Sequence, residues 1–175
     1  RALKKPVIPR AKFLASVCTC FSRVVAVSGC HGKTTCTAML ASIFSAAGRR
    51  FSAHIGGYSL QFSNFCAFGN DWFFTEACEY KKNFLSLRAD TAVVLSTDPD
   101  HLECYNSADD LYCCYRKFAA RAECAVVLQD RLSAEIDNAV TFGGGRGADF
   151  RATELECREG AYGFTLSAFG KERGD

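Results

Sequence analysis

Short apolar segments of strand length recur between residues 23 and 143 of the chain. Each is rich in β-branched or aromatic residues and is bounded by turn-forming residues, which predicts a buried strand. The second of these segments ends in two glycines, so a turn is expected at that point. The predicted strands cover 23–28, 51–57, 71–77, 91–97, 124–129 and 139–143.

Helical periodicity separates several of these strands. From Lys33 onward, apolar residues recur at positions i, i+3, i+4 and i+7, and Gly48 is placed to end that helix. A second helix is predicted over 107–121, with Ser107 as its N-cap. A short amphipathic helix is predicted within 10–21, before the first strand. Strands and helices therefore alternate, as they do in βαβ units.

The order of these elements predicts an α/β fold. Strands that alternate with helices form a mostly parallel, doubly wound sheet that helices cover on both faces. After Gly143 the pattern changes, because a glycine-rich turn is followed by two alternating strands around 159–160, which predicts a hairpin. We therefore expect a small antiparallel β-sheet near the C-terminus.

Composition narrows the classes of function. The chain has 175 residues, enough for one domain, and 21 Lys and Arg residues against 19 Asp and Glu residues leave a net charge of +2. This balance gives no basic field for nucleic acid, and no apolar run approaches the ~18 residues of a bilayer span. We expect neither a nucleic-acid partner nor a membrane association. Eleven cysteines, an odd number without C-x-x-C spacing, predict free thiols in a reducing cytoplasm.

The segment VVAVSGCHGKTT joins a predicted strand to a helix through a glycine-rich turn. Gly29 and Gly32 allow backbone N–H groups to approach phosphate oxygens, and the helix N-terminus adds free donors. Lys33 can reach the terminal phosphates and the Thr34 hydroxyl can ligate Mg²⁺, as in the pattern G-x-x-x-x-G-K-[ST], although Val27 stands at its first glycine. The turn therefore predicts a P-loop. Its nucleotide-binding residues are predicted to be Gly29, Cys30, His31, Gly32, Lys33, Thr34 and Thr35.

Acidic residues and a histidine follow two other predicted strands. Glu76 ends one of these strands, and the segment 98–101, which includes His101, follows the other. Ligands bind beyond the carboxyl ends of parallel strands, so these side chains and Lys33 are predicted to share one crevice. Two alternatives remain open: an unrelated P-loop kinase or ATPase with Asp98 as its Mg²⁺-holding acid, or a solvated carboxylate and a packed histidine without a catalytic role.

Five segments of the chain resemble segments of the Mur ligase family, in the same order. GCHGKTTCTAML is similar to the family's G-T-H-G-K-T-T-T-T-A-M, and TAVVLSTDPDHLECY to V-x-x-N-I-x-x-D-H-x-D-x-Y. PVIPRAKFLA, TEACEYKKNFL and VTFGGGRGADFRATEL resemble the segments before the loop, around the family's E-A-C/D-E motif and at the start of its small antiparallel sheet. The resemblance is collinear from about Pro6 to Ser167, so the combination is far more specific than any single motif.

The resemblance implies an ATP-dependent ligase of peptidoglycan precursor synthesis, which adds L-alanine to UDP-N-acetylmuramate through an acyl phosphate. It implies ATP and Mg²⁺ as cofactors. By motif match, Lys33, Glu76 and His101 would be catalytic, and Thr34, Glu76 and His101 would hold metal ions. Cationic groups are needed in any such reaction, because two anionic reactants repel each other and the repulsion must be offset. Another ligase of the family, such as a peptide-recycling ligase, is an alternative.

Three positions depart from the family pattern: Cys30, Ser96 and Glu103 stand where the family has Thr, Asn and Asp. The family's N-terminal UDP-binding domain and C-terminal amino-acid-binding domain do not fit in 175 residues. We therefore expect 1–22 to be an N-terminal linker with a short helix, and 23–175 to be the central ATP-binding domain without its flanking domains, inactive as a ligase on its own. A truncated, non-catalytic ATP-binding module is the alternative.

Overall fold

A computed structural model describes residues 5–173 of the chain. Within this range, three short 3-10 segments lie at Tyr80–Ser86, Leu102–Cys104 and Ser133–Glu135. The α-helices of the described residues are α1 (Arg10–Cys18), α2 (Lys33–Ala46) and α3 (Ala108–Ala120). The strands are β1 (Arg23–Ser28), β2 (Phe51–Ser59), β3 (Ser63–Ala67), β4 (Trp72–Glu76), β5 (Thr91–Val94), β6 (Cys124–Leu128), β7 (Val140–Gly143), β8 (Phe150–Arg158), β9 (Ala161–Ala168) and β10 (Lys171–Arg173).

These strands form a single sheet in the order β10-β9-β8-β7-β6-β5-β1-β4-β2-β3. β1 lies between β4 and β5 and is parallel to both. Parallel pairing extends from β2 to β8, whereas β3, β9 and β10 pair antiparallel to their neighbours. The predicted α/β fold is confirmed. Its antiparallel part near the C-terminus continues the parallel part, because β8 pairs with β7.

The sheet buries side chains on both of its faces. Along β1, Val24 and Ala26 belong to one buried cluster, which also contains residues of α1 and α3. Val25 and Val27 belong to a second buried cluster, which contains Ala41 of α2. Successive side chains of a strand point to opposite faces, so this alternation shows that β1 is covered on both sides. The doubly wound arrangement follows from it.

Several local predictions are confirmed residue by residue. β1 spans the predicted residues, and α2 begins at Lys33 and ends just before Gly48, whose φ is +62°. α3 follows its predicted N-cap, because the Ser107 hydroxyl accepts the Asp110 N–H at 3.1 Å. The predicted hairpin is formed by β8 and β9, which are joined at 159–160. None of the helices within residues 5–173 has the length and apolar character needed to cross a membrane.

The glycine turn predicted at the end of β2 is wrong. β2 continues through Gly56 and Gly57 to Ser59 and pairs with β3, which the apolar pattern did not predict. β3 has a single buried residue, Cys66, so an edge strand of this kind leaves little apolar signal. The two glycines serve close approach to neighbouring side chains, described below, rather than a reversal of the chain.

Candidate active site

The predicted P-loop connects β1 to α2 at the edge of the sheet where parallel strands end. Because β4 and β5 flank β1, the residues that follow these two strands lie on either side of the loop. Backbone hydrogen bonds tie the three strand ends together: the Ala77 N–H donates to the Val27 carbonyl at 2.8 Å, and the Leu95 N–H donates to the Ser28 carbonyl at 3.0 Å. The loop is therefore held on both sides, as a rigid binding site requires.

Two glycines allow the loop to take its shape. Gly29 has a φ of +125°, and a Cβ at this position would lie 2.9 Å from the Ser96 amide nitrogen and 3.0 Å from that of Leu95. Gly32 has a φ of +81° and occupies the N-cap position of α2, where no side chain caps the helix. The first N–H groups of α2 are thus not satisfied by a capping side chain, and such groups favour a bound anion.

Lys33 opens α2 and is folded back onto the loop. Its ammonium group donates to the Gly29 carbonyl at 2.6 Å, to the Cys30 carbonyl at 3.4 Å and to Glu79 Oε1 at 3.0 Å. The Lys33 side chain is 14% exposed and the Glu79 side chain is fully buried. The predicted phosphate-binding lysine therefore forms a largely buried ion pair beside the loop.

Glu79 is the centre of a small cluster of polar side chains. Glu79 Oε1 lies 3.9 Å from His101 Nε2, and Glu79 Oε2 is buried without a hydrogen-bond partner in the described residues. Ligand atoms of Glu79, Asp100 and His101 all lie within 4.8 Å of one another. A buried carboxylate oxygen requires a partner. A cation held beside the carboxylates would supply one, and carboxylate oxygens suit a divalent ion such as Mg²⁺ or Mn²⁺.

Glu76 ends β4 beside the two glycines of β2. Glu76 Oε1 accepts the Gly56 N–H at 2.7 Å, and a Cβ at Gly56 would overlap the Glu76 carboxylate. A Cβ at Gly57 would lie 3.0 Å from Thr34 Cγ2. Glycine at these two positions lets β2 approach both the Glu76 carboxylate and the first turn of α2. Two of the predicted metal ligands, Glu76 and Thr34, therefore lie beside neighbouring glycines of β2.

The structure groups the remaining predicted residues differently. His101 lies with Glu79 and Asp100, whereas Glu76 is held by β2. Glu79 lies three residues after Glu76, the last residue of β4. This position just beyond a strand end is the sequence signal that marks Glu79 as a candidate site residue. Of the other predicted loop residues, His31 and Thr35 are exposed and Cys30 is buried.

The buried thiol of Cys30 contacts another position that departs from the family pattern. Cys30 Sγ lies 2.8 Å from Ser96 Oγ and 3.5 Å from Asp98 Oδ2. Ser96 follows β5, so the contact joins the P-loop to the next strand end. The two departures are therefore neighbours in space, although they are far apart along the chain.

A chain of hydrogen bonds that sequence reasoning missed connects α1 to this edge of the sheet. Arg10 Nη2 lies 3.2 Å from His54 Nε2, and His54 Nδ1 lies 3.2 Å from Thr75 Oγ1. Burial, followed by the charge of Arg10, lowers the pKa of His54. In the neutral ring, Nδ1–H donates to Thr75 and Nε2 accepts from Arg10. His54 therefore orients Arg10, which also lines a small cavity shared with Glu76.

In this parallel α/β sheet, β1 leads through a glycine loop into α2, which begins with Lys33 and Thr34. This arrangement defines a P-loop nucleotide-binding domain. The family model of the Mur ligase middle domain matches residues 27–174. The chain therefore belongs to the Mur ligase family and corresponds to its middle domain, which confirms the resemblance seen in the sequence.

Relatives identify the branch of the family to which the chain is similar. The UDP-N-acetylmuramate–L-alanine ligase of Clostridium botulinum is 41% identical over 111 residues, which cover 63% of this chain and 24% of the relative. The same ligase of Chlorobaculum tepidum is 35% identical over 177 residues, which cover 95% of this chain and 37% of the relative. The chain thus spans about a quarter to two fifths of the length of these relatives.

Solved structures share the fold. The UDP-N-acetylmuramate–alanine ligase MurC of Thermotoga maritima has a TM-score of 0.80 at 23% identity, over 92% of this chain and 38% of that one. The MurF ligase of Thermotoga maritima, solved in complex with ADP, has a TM-score of 0.74 at 18% identity, over 97% of this chain and 44% of that one.

Proposed function

We propose that this chain is the ATP-binding middle domain of a ligase that joins L-alanine to UDP-N-acetylmuramate. One observation carries the proposal: groups suited to phosphate and groups suited to a metal ion lie at the same end of the parallel strands. The first are the glycine loop, the uncapped N-terminus of α2 and Lys33. The second are Glu76 and the cluster of Glu79, Asp100 and His101. Family membership and the names of the relatives support the ligase reaction. The eleven free cysteines support a cytoplasmic location.

The proposed reaction forms an amide bond in two steps. An oxygen of the substrate carboxylate attacks the γ-phosphorus of ATP and ADP leaves, which yields an acyl phosphate. The amine of L-alanine then attacks the acyl carbon, phosphate leaves, and the amine loses a proton. Lys33 would balance negative charge on the transferred phosphoryl group, and positioning of the reactants would supply most of the rate enhancement.

The donor groups present suit Mg²⁺. Thr34 and Glu76 offer a hydroxyl and a carboxylate, and His101 lies beside Glu79, whose buried Oε2 has no hydrogen-bond partner among residues 5–173. These residues would hold Mg²⁺, which would neutralise charge on the phosphate groups when bound. The predicted roles of Lys33, Glu76 and His101 in catalysis are part of this proposal.

Nucleotide binding is tested by calorimetric titration of ATP with Mg²⁺ into the chain. Wild type and the Lys117→Ala control, which changes an exposed lysine on α3, should bind alike, and Lys33→Ala should lose most of the binding. Equal binding by Lys33→Ala and wild type would contradict the proposed site.

The ligase reaction is tested in a chimera, in which residues 5–173 replace the matching segment of the Chlorobaculum tepidum ligase. Phosphate release that requires both UDP-N-acetylmuramate and L-alanine supports the proposal. Glu76→Ala and His101→Ala should each reduce kcat about 10²–10³-fold, by analogy with the loss of one electrostatic donor. ATP hydrolysis independent of both substrates would instead favour a P-loop ATPase.

A non-catalytic ATP-binding module is the second candidate. The contact between Cys30 and Ser96 favours it, because two departures from the family pattern meet beside the P-loop. Such a module would bind ATP with Mg²⁺, but its chimera would release no phosphate. Activity recovered by Cys30→Thr together with Ser96→Asn would identify these two residues as the cause.

A further inference from the structure

We propose that Glu79 is the positioning residue of Lys33: it holds the ammonium group against the loop and competes with the phosphate groups of a nucleotide for it. This inference rests on the proposed nucleotide site and adds to it a role for Glu79 when Mg²⁺ is absent. The inference is based on the contacts that the side chains of Lys33 and Glu79 make and on the greater freedom of Lys33 to move.

The ammonium group of Lys33 already faces three acceptors within the part of the chain that the structure describes. A lysine carries three N–H donors. The three acceptors around Lys33 Nζ are the carbonyls of Gly29 at 2.6 Å and Cys30 at 3.4 Å and the carboxylate of Glu79 at 3.0 Å. A phosphate oxygen can therefore be bound by Lys33 only if at least one of these contacts is broken.

Glu79 is the fixed member of the ion pair. Its carbonyl accepts the Lys82 N–H at 2.8 Å and the hydroxyl of Tyr105, and its side chain is fully buried. Lys33, by contrast, has a flexible four-carbon side chain that is partly exposed. Nucleotide binding should therefore move the lysine, and the carboxylate should stay in place.

A neighbouring histidine can replace Lys33 as the partner of Glu79. Glu79 Oε1 lies 3.0 Å from Lys33 Nζ and 3.9 Å from His101 Nε2, so one oxygen faces both groups. After Lys33 leaves, His101 is the neighbouring group that could donate an N–H to the buried Glu79 carboxylate, which would otherwise lose its hydrogen-bond partner. The exchange nevertheless requires a short ion pair to be broken, and this requirement lowers the affinity for the nucleotide.

The Glu79→Gln substitution isolates this competition. Glutamine keeps the shape of the side chain and an oxygen acceptor, but it removes the charge that holds Lys33. ADP measured without Mg²⁺ should bind about tenfold more tightly to Glu79→Gln than to wild type, a change of ~1.4 kcal/mol. The gain should persist in added salt, because a buried pair is screened less than exposed charges are.

Calorimetric titration of ADP in EDTA, on the full 175-residue chain, tests the proposal. Glu103→Gln is the matched control, because Glu103 carries the same charge, lies 3.4 Å from His101 Nδ1 and is 66% exposed. A tenfold gain in Glu79→Gln with less than twofold change in Glu103→Gln supports the proposal. Equal gains in both variants, or unchanged or weaker binding by Glu79→Gln, overturn it. Absence of ADP binding by wild type would instead refute the proposed nucleotide site.

Two further measurements keep the test independent of one variant. Glu79→Asp retracts the carboxylate by one methylene and should give a smaller gain of the same sign, whereas weaker binding would count against the proposal. In wild type, the carboxyl ¹³C resonance of Glu79 should shift when ADP is added, because Lys33 leaves it. An unchanged resonance in an ADP-saturated sample would overturn the proposal even if neither variant folds.

Discussion

The Gly29→Ala substitution should disrupt the loop at its narrowest point. Gly29 follows β1 directly, with a φ of +125°. An added Cβ would lie 2.9 Å from the Ser96 nitrogen, 3.0 Å from the Leu95 nitrogen and 3.1 Å from Leu95 Cβ. Two of these three atoms belong to the backbone that follows β5, so no rotation of a side chain can relieve the overlap.

Two costs contribute to the expected loss of stability. A residue other than glycine in this backbone region is strained by about 1–3 kcal/mol. Overpacking against a fixed neighbour adds about 1–3 kcal/mol. Together they predict that Gly29→Ala lowers the free energy of unfolding by about 2–6 kcal/mol. Gly48→Ala is the matched control, because Gly48 also has a positive φ, +62°, but its Cβ would meet no atom within 4 Å. It should cost only about 1–2 kcal/mol.

Urea denaturation followed by circular dichroism measures both variants, with the slope m used to check that the transition stays comparable. The difference between the two variants reports the overlap with the backbone after β5, since both share a left-handed φ. Gly29→Ala should also weaken ATP binding, because the loop must shift away from β5. Equal stability of the two variants would refute the close approach of the loop to β5.

Two further predictions concern groups around the site, and a third concerns a buried cysteine of α1. Gly56→Ala should displace the Glu76 carboxylate and weaken Mg²⁺-dependent nucleotide binding about tenfold, with Mg²⁺-free binding unchanged; calorimetry with and without EDTA measures both. Burial lowers the pKa of His54 below its usual 6.5, so the unfolded state binds more protons and stability should fall as pH drops below about 6.5. Urea denaturation at several pH values should show a flatter profile for His54→Gln. Burial raises the pKa of the Cys18 thiol to about 11, so alkylation of the native chain at pH 8 should be much slower at Cys18 than at exposed Cys157, as measured by mass spectrometry.

The elements around the P-loop could be predicted because their signals are local. The β-branched run of β1, the glycines of the turn and the periodicity of α2 lie within one continuous stretch of sequence. The boundaries of α2 and the N-cap of α3 follow from residues that act on their own helix. Local signals of this kind are independent of how the strands are later arranged.

The contacts of the site could not be predicted in the same way, because they depend on strand order. β4 lies beside β1, and their register sets Val27 opposite Glu76. The same arrangement brings Glu79 to Lys33, a pair separated by 46 residues. From the neighbouring sequence alone, Gly56 predicts a turn. In the sheet, the absence of a side chain at Gly56 leaves room for the Glu76 carboxylate. The arrangement of neighbouring strands thus overrides the local preference of glycine.

The distribution of charge at this edge of the sheet leads to a last prediction. Glu76, Glu79 and Asp100 carry negative charges there, and Lys33 is already paired with one of them. Like charges separated by about 8 Å repel by about 2 kcal/mol at an effective dielectric constant of about 20, so the phosphates of a nucleotide meet substantial repulsion. A divalent cation at Glu79, Asp100 and His101 would cancel the net negative charge of these groups. Nucleotide affinity should therefore rise at least tenfold when Mg²⁺ is added, and Asp100→Asn should reduce that increase. Affinity independent of Mg²⁺ in wild type would show that these carboxylates do not face the bound phosphates.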